Sequence, residues 1–202
     1  MRDKYHIKHD KKIFLYPQEF KKFYDALSEK QQPYFKIVIN TGGRINEILH
    51  LTPNDINFER KTLTFRVTKV RSKLGETRPT PRTILISAEF AAWLQRYINR
   101  NNIKKNDFLV SLSKAGIDKA TKVTLKAIDI EKWNDFSSHN FRKTHGNWLK
   151  AIGVSGEEIC CRLGHDMNTM LKHYVSPSLF NAEDRILILD ILGDLYKNER
   201  QF

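Results

Sequence analysis

The apolar positions in the first third of this chain repeat at helical spacing. Phe20, Phe23, Tyr24 and Leu27 share one stripe behind Pro17, whose fixed φ suits a first helical turn. Tyr34, Phe35, Ile37 and Val38 mark a second helix that starts near Pro33, and Gly42-Gly43 stops it. A short helix then runs from Arg44 through Leu51. Beyond the turn signal Thr52-Pro53-Asn54-Asp55 the period changes. Ile56 to Phe58, Thr62 to Lys69 and Arg82 to Ile86 read as three short strands, with a hairpin loop around Gly75.

The helical period then returns. Ser87 is placed to cap a helix striped with Phe90, Leu94, Tyr97 and Ile98. Helices are also expected from Lys114 to Trp133, from Ser138 to Ile152, from Gly156 to Leu163 and from Met167 to Tyr174. A last one near Glu183 to Asn198 carries Ile186, Leu187, Leu189, Ile191, Leu192 and Leu195. Residues 1–13 are polar and basic and read as a tail or interdomain linker; residues 14–202 read as one domain. The expected fold class is mainly α with a small antiparallel β-sheet (α+β).

Composition narrows the partners. Thirty-five Lys and Arg stand against 23 Asp and Glu, a net charge of +12. Such an excess favours polyanions, nucleic acid ahead of an anionic membrane, and says nothing about sequence preference. The two cysteines, Cys160 and Cys161, are neighbours, which excludes a disulfide framework and fits a reducing compartment. No Cys/His spacing suggests a metal site, and no long apolar run suggests a membrane span. The polar amino terminus does not resemble a signal peptide, so a cytoplasmic or nucleoid-bound chain is expected.

The chemistry lies in a few polar residues. His139 and Arg142 are three apart on an expected helix and share a face. Arg44 follows the Gly-Gly turn, His165 follows Gly164, and Tyr174 comes nine residues after His165. A guanidinium presents a planar fork that matches two phosphate oxygens, and two of them offset the charge that grows on a phosphorane. A neutral tyrosine, with a pKa of about 10, needs a proton acceptor before it attacks phosphorus. The departing sugar oxygen needs a proton, for which Lys69 and Lys73 are candidates. The bland alternatives are a capping Arg44, a helix-end His165, a packing Tyr174 and a solvated Lys69. His50, His145 and His173 read as structural or surface groups.

The ordered set Thr41-Gly42-Gly43-Arg44-Ile45-Asn46-Glu47-Ile48-Leu49-His50-Leu51, Thr68-Lys69, His139-Asn140-Phe141-Arg142 and Leu163-Gly164-His165 with Tyr174 resembles the catalytic domain of the tyrosine recombinases, the phage integrase family. The resemblance covers roughly residues 14 to 180. It implies cleavage and rejoining of double-stranded DNA through a 3′-phosphotyrosyl link, with no cofactor, metal or nucleotide. It further implies that Tyr174 attacks, Arg44 and Arg142 clamp the phosphate, His139 assists proton transfer, His165 bonds a non-bridging oxygen and Lys69 is the general acid. A homotetramer on two duplexes is expected, with the last helix either part of the core or docked on a neighbouring subunit. Two features depart from the family pattern. A separate core-binding domain usually precedes the catalytic one, and Lys143 stands where a second histidine is common, with His145 slightly later. A type IB topoisomerase and a non-catalytic DNA-binding module are the competing readings.

Overall fold

The structure is a computed structural model that describes residues 13–66, 81–131, 133–168, 170 and 177–196, together with the backbone of 69–71 and 77–79. Its centre is a pair of helices. Helix α1 (Pro17–Asp25) opens where the Glu19 carboxylate accepts from the Tyr16 backbone N–H at 2.7 Å, and it buries Phe20 and Phe23. Helix α2 (Gln32–Thr41) is buried along most of its length, Tyr34, Phe35, Ile37, Val38 and Ile39 included, as befits a helix covered on several sides. After the short α3 (Ile45–Leu49) the chain enters the sheet.

Strands β1 (Ile56–Asn57), β2 (Thr62–Phe65), β3 (Lys69–Arg71), β4 (Thr77–Pro79) and β5 (Arg82–Leu85) form two ladders. One has the antiparallel order β1-β2-β5, with Leu63, Phe65 and Ile84 buried; the other is the antiparallel pair β3-β4. The single strand expected from Thr62 to Lys69 is therefore divided. Its last pairing in the first ladder is Phe65 with Arg82, and Lys69 opens the second opposite Pro79. Pro79 and Pro81 flank the break, and neither has an N–H to continue a ladder.

Helix α4 (Ala88–Arg100) is capped by Ser87, whose hydroxyl accepts from the Phe90 N–H at 3.1 Å. Helix α5 (Lys114–Ala127) ends earlier than the expected Trp133, because Asp129 takes a left-handed φ of 56°. Helix α6 (Ser138–Ala151) packs on α2 through aromatic rings. Phe141 stands 4.9 Å from Phe35, 5.0 Å from Phe23 and 5.2 Å from Phe136, centroid to centroid. The segment before α1 is laid across α6: Asn140 Nδ2 donates to the Ile13 carbonyl and Trp148 Nε1 to the Leu15 carbonyl, while Thr144 Oγ1 accepts from the Leu15 N–H. Each buried aromatic contributes about 1.5–3 kcal/mol. That packing fixes the position of α6 and hence of the residues on either side of Phe141.

Helix α7 (Gly156–Leu163) is capped by Ser155 and ended by Gly164 at φ 63°. Helix α8 (Ala182–Leu192) stops at Gly193, φ 81°, short of the expected Asn198. It lies against α1, α2 and α6 of its own chain through Ile188 and Leu192, leaving Ile186 60% exposed. The basic tail up to residue 12, the loop at Gly75 and the stretch Leu171–Tyr174 of an expected helix lie outside the described residues. Among the described residues no helix is long and apolar enough to cross a membrane.

Candidate active site

Arg44 owes its place to two glycines. Gly42 takes φ 64°, a left-handed angle that L side chains rarely adopt. A methyl group there would collide with the Leu163 side chain and lie 2.6 Å from His145 Cδ2; at Gly43 it would lie 2.7 Å from Phe65 Cζ. The chain thus passes closely between α7 and the sheet, then begins α3 with Arg44 as its N-cap. From there Arg44 Nη1 donates to the Glu47 carboxylate at 2.8 Å and Nη2 to the Gly164 carbonyl at 2.7 Å.

Arg142 reaches the same junction from the opposite side. It is 4% exposed and three residues into α6 from His139. Its Nη1 donates to the Gly42 carbonyl at 2.7 Å, and Nη2 makes a short bond to the Leu163 carbonyl. Two arginines 98 positions apart in sequence therefore bond consecutive carbonyls, Leu163 and Gly164, at one helix end. These two backbone groups fix the plane of the buried guanidinium. His139, exposed, lies in the first turn of α6, where the positive end of the helix dipole favours an anion.

His165 follows the Gly164 cap. Its N–H donates to the Cys160 carbonyl at 3.2 Å, and its Nδ1 donates to the Asp166 carbonyl, also at 3.2 Å. Burial lowers its pKa; the Asp166 hydrogen bond opposes that, and the charges of Arg142 and Arg44 lower it further. The imidazole thus feels both guanidiniums at once.

Behind these groups is a supporting layer that the sequence reading did not single out. Glu47, 2% exposed, accepts Arg82 Nη1 at 2.5 Å and Nη2 at 2.7 Å in addition to Arg44. Burial pushes its carboxyl up, but hydrogen bonds and charge from Arg82, and bonds from Arg44, outweigh burial and leave the pKa below 4.5. Arg82 also donates from Nε to the Arg162 carbonyl and lies over the Phe65 ring. Arg162, buried, donates to the carbonyls of Leu85 and Asn40 and to His145 Nε2 at 3.1 Å. His145 Nδ1 donates to the Ile39 carbonyl at 2.7 Å, so the ring is neutral with its proton on Nδ1. Its pKa is held well below 6.5 by burial first and by Arg162 next. Of the two readings open for His145, structural or surface, its full burial excludes the surface one. One signal in the sequence pointed to the layer: Glu47 stands three residues after Arg44, the spacing of a capping box.

Together these elements enclose an open pocket of about 580 Å³, lined by Arg44, His139, Arg142, Ser138, Asn46 and His50 among others. Three of the six expected site residues meet there, and His165 stands within electrostatic reach. Lys69 is placed only by its backbone, at the start of β3, and Lys73 and Tyr174 lie outside the described residues. The pocket offers cations and polar donors around an open space. Among the described residues no group of three or more His, Cys, Asp or Glu is placed to hold a metal.

Comparison with known proteins gives the family and supports the fold. The model of the phage integrase family matches residues 13–179, and the chain belongs to that family. The Tn1549 transposon integrase in complex with a circular intermediate DNA is similar in structure, with a TM-score of 0.66 and 18% identity; the match covers 89% of this chain and 65% of that one. XerA recombinase gives 0.62 and 20%, over 88% of this chain and 64% of that one. The catalytic domain of bacteriophage HP1 integrase gives 0.59 and 20%, over 79% and 85%. This chain therefore spans about two thirds of the length of the first two. No curated protein sequence matches it.

Proposed function

We propose that this chain is a site-specific DNA recombinase that cuts and rejoins double-stranded DNA through a covalent bond to Tyr174, using neither metal nor nucleotide. The observation that supports the reading is the convergence of Arg44, Arg142 and His139 on one pocket, with His165 close enough to feel the charge of both arginines. Attack of the Tyr174 oxygen on phosphorus raises the charge on the phosphoryl oxygens, and the two guanidiniums stabilise that growth without reorganising. His139 takes the phenolic proton. His165, protonated on Nε2 in response to the bound phosphate's charge while Nδ1 stays on the Asp166 carbonyl, donates to a non-bridging oxygen. As the bond from phosphorus to the 5′-oxygen breaks, Lys69 protonates the departing oxygen, with Lys73 as the alternative donor. The products are a 3′-phosphotyrosine and a 5′-hydroxyl. A hydroxyl from a partner duplex reverses the step, so no net energy is consumed. The working unit is a homotetramer on two duplexes, and its task is to integrate or excise the DNA of a mobile or viral element in the cytoplasm of its host.

The test is a nicked duplex that loses the fragment bearing the 5′-hydroxyl after cleavage and so traps the covalent intermediate. Wild type accumulates protein–DNA adduct and Tyr174→Phe does not. Arg142→Ala lowers the rate by about 10²- to 10³-fold, the usual loss when one oxyanion donor is removed. Adduct formed by Tyr174→Phe at the wild-type rate excludes that residue as nucleophile. Plasmid relaxation with no recombinant product would instead support a type IB topoisomerase. Salt-sensitive binding with no adduct on any substrate would support a non-catalytic DNA-binding module.

A further inference from the structure

The pocket wall continues along α3 past Arg44 to His50, and His50 meets a side chain from a distant loop. Its Nδ1 donates to the Asn46 carbonyl at 2.7 Å, which fixes the ring and its tautomer at the pocket edge. Phe108, from the loop joining α4 to α5, stands edge-on to this imidazole, with centroids 5.6 Å apart and planes at 76°. Phe108 is 57% exposed, although the loop that carries it is firmly held. The Leu109 N–H donates to the Leu51 carbonyl at 2.8 Å, the Tyr97 hydroxyl to the Leu109 carbonyl at 2.9 Å, and Asn54 Nδ2 to Asn106 Oδ1 at 2.8 Å.

A lone exposed phenylalanine is ordinary. One pinned in water by hydrogen bonds on both sides, beside a cationic pocket, is suited to receive a flat apolar group. A phosphodiester brings such a group with it: each phosphate is flanked by nucleosides, and a base unstacked at a nick or a cleaved junction offers a free π face. We propose that Phe108 and His50 form a nucleobase subsite that seats one base next to the phosphate held between Arg44 and Arg142. The proposal rests on the reading of that pocket as a phosphodiester site. Phe108 supplies a stacking face, and His50 a ring nitrogen for the base edge or sugar. Stacking tolerates any base but is stronger for the larger purines, so the subsite sets a graded preference rather than a strict code.

The experiment uses the full chain and a pool of nicked duplexes randomised at the positions around the nick. Covalent adducts are isolated and sequenced. Wild type enriches purines at one position beside the scissile phosphate. Phe108→Ala flattens that enrichment, with about a tenfold loss of adduct on the preferred sequences; Phe108→Trp restores it. Quenching of 2-aminopurine placed at that position follows the same order. Because the ring is mostly exposed, Phe108→Ala keeps the wild-type melting profile, which separates lost stacking from lost folding. An unchanged sequence profile in Phe108→Ala overturns the subsite and leaves the phosphodiester reading intact. No adduct from wild type on any member of the pool overturns both.

Discussion

Arg44 and Arg142 face one pocket from opposite sides, yet they are held in contrasting ways. Arg142 is almost wholly buried and bonds two backbone carbonyls, those of Gly42 and Leu163. The Arg44 side chain is 41% exposed and leans on a carboxylate, Glu47, which is itself buried and shared with Arg82. Carbonyl support does not titrate, and it depends on two helix ends being correctly placed. Carboxylate support is local and charged, and acid can remove it. The pocket therefore has one wall set by backbone geometry and one set by electrostatics, and each fails under a different perturbation.

The largest effect is expected from Glu47→Gln. Arg82, only 11% exposed, would lose its charged partner, and breaking a buried pair from one side costs about 3 kcal/mol or more. The pH dependence identifies the cause. Glu47 titrates below 4.5 when folded, so its contribution is complete above 4.5 and is lost as pH falls through the depressed folded value. Denaturant unfolding should show a gap between wild type and Glu47→Gln that is constant near neutrality and closes in acid. A gap that persists in acid would mean that shape, not charge, holds this wall.

Gly42→Ala attacks the other wall. A left-handed φ of 64° and the collisions with Leu163 and His145 should together cost about 3 kcal/mol. Here the loss should be the same at every pH where wild type is folded. The damage should also reach Arg142, whose partner is the Gly42 carbonyl, so adduct formation falls more than stability accounts for. Wild-type adduct rates in the folded fraction of Gly42→Ala would sever that link.

The two walls also differ in how plainly the sequence displays them. The Gly-Gly turn, the apolar stripes of α1 and α2, the Ser87 cap and the span of α6 are local signals, and each lies where periodicity places it. Three cationic or imidazole groups of the site follow from them because each sits at a helix end. The supporting layer is not local. Arg82 reads as an ordinary strand residue, and its bonds to Glu47 on α3 and to the Arg162 carbonyl on α7 join segments 35 and 80 positions away. Arg162 and His145 meet from different helices, and nothing in either segment announces the pairing. His50 joined the pocket although it read as a structural or surface group. The divided ladder had a visible cause, the prolines at 79 and 81, which outweigh the β propensity of Thr62 to Lys69.

The smallest effect separates the walls without disrupting either. His145 is neutral in the fold, with a pKa well below 6.5, and it faces Arg162 and Arg142 as well as the Ile39 carbonyl. The unfolded chain takes up a proton near 6.5 that the folded chain refuses, so stability is complete above 6.5 and declines as pH falls below it. One such group adds at most about 1.4 kcal/mol per pH unit to the slope. His145→Gln lowers stability at every pH by disturbing Arg162, but it removes this component of the slope. Unfolding curves between pH 6.5 and 5.5 should therefore fall less steeply for His145→Gln than for wild type. His165, whose pKa is also lowered, is present in both proteins and cancels in the difference. Parallel slopes would mean that a proton enters the Arg142 side of the pocket in the folded state. The backbone-held wall would then titrate as the Glu47 side does, and the contrast between them would be lost.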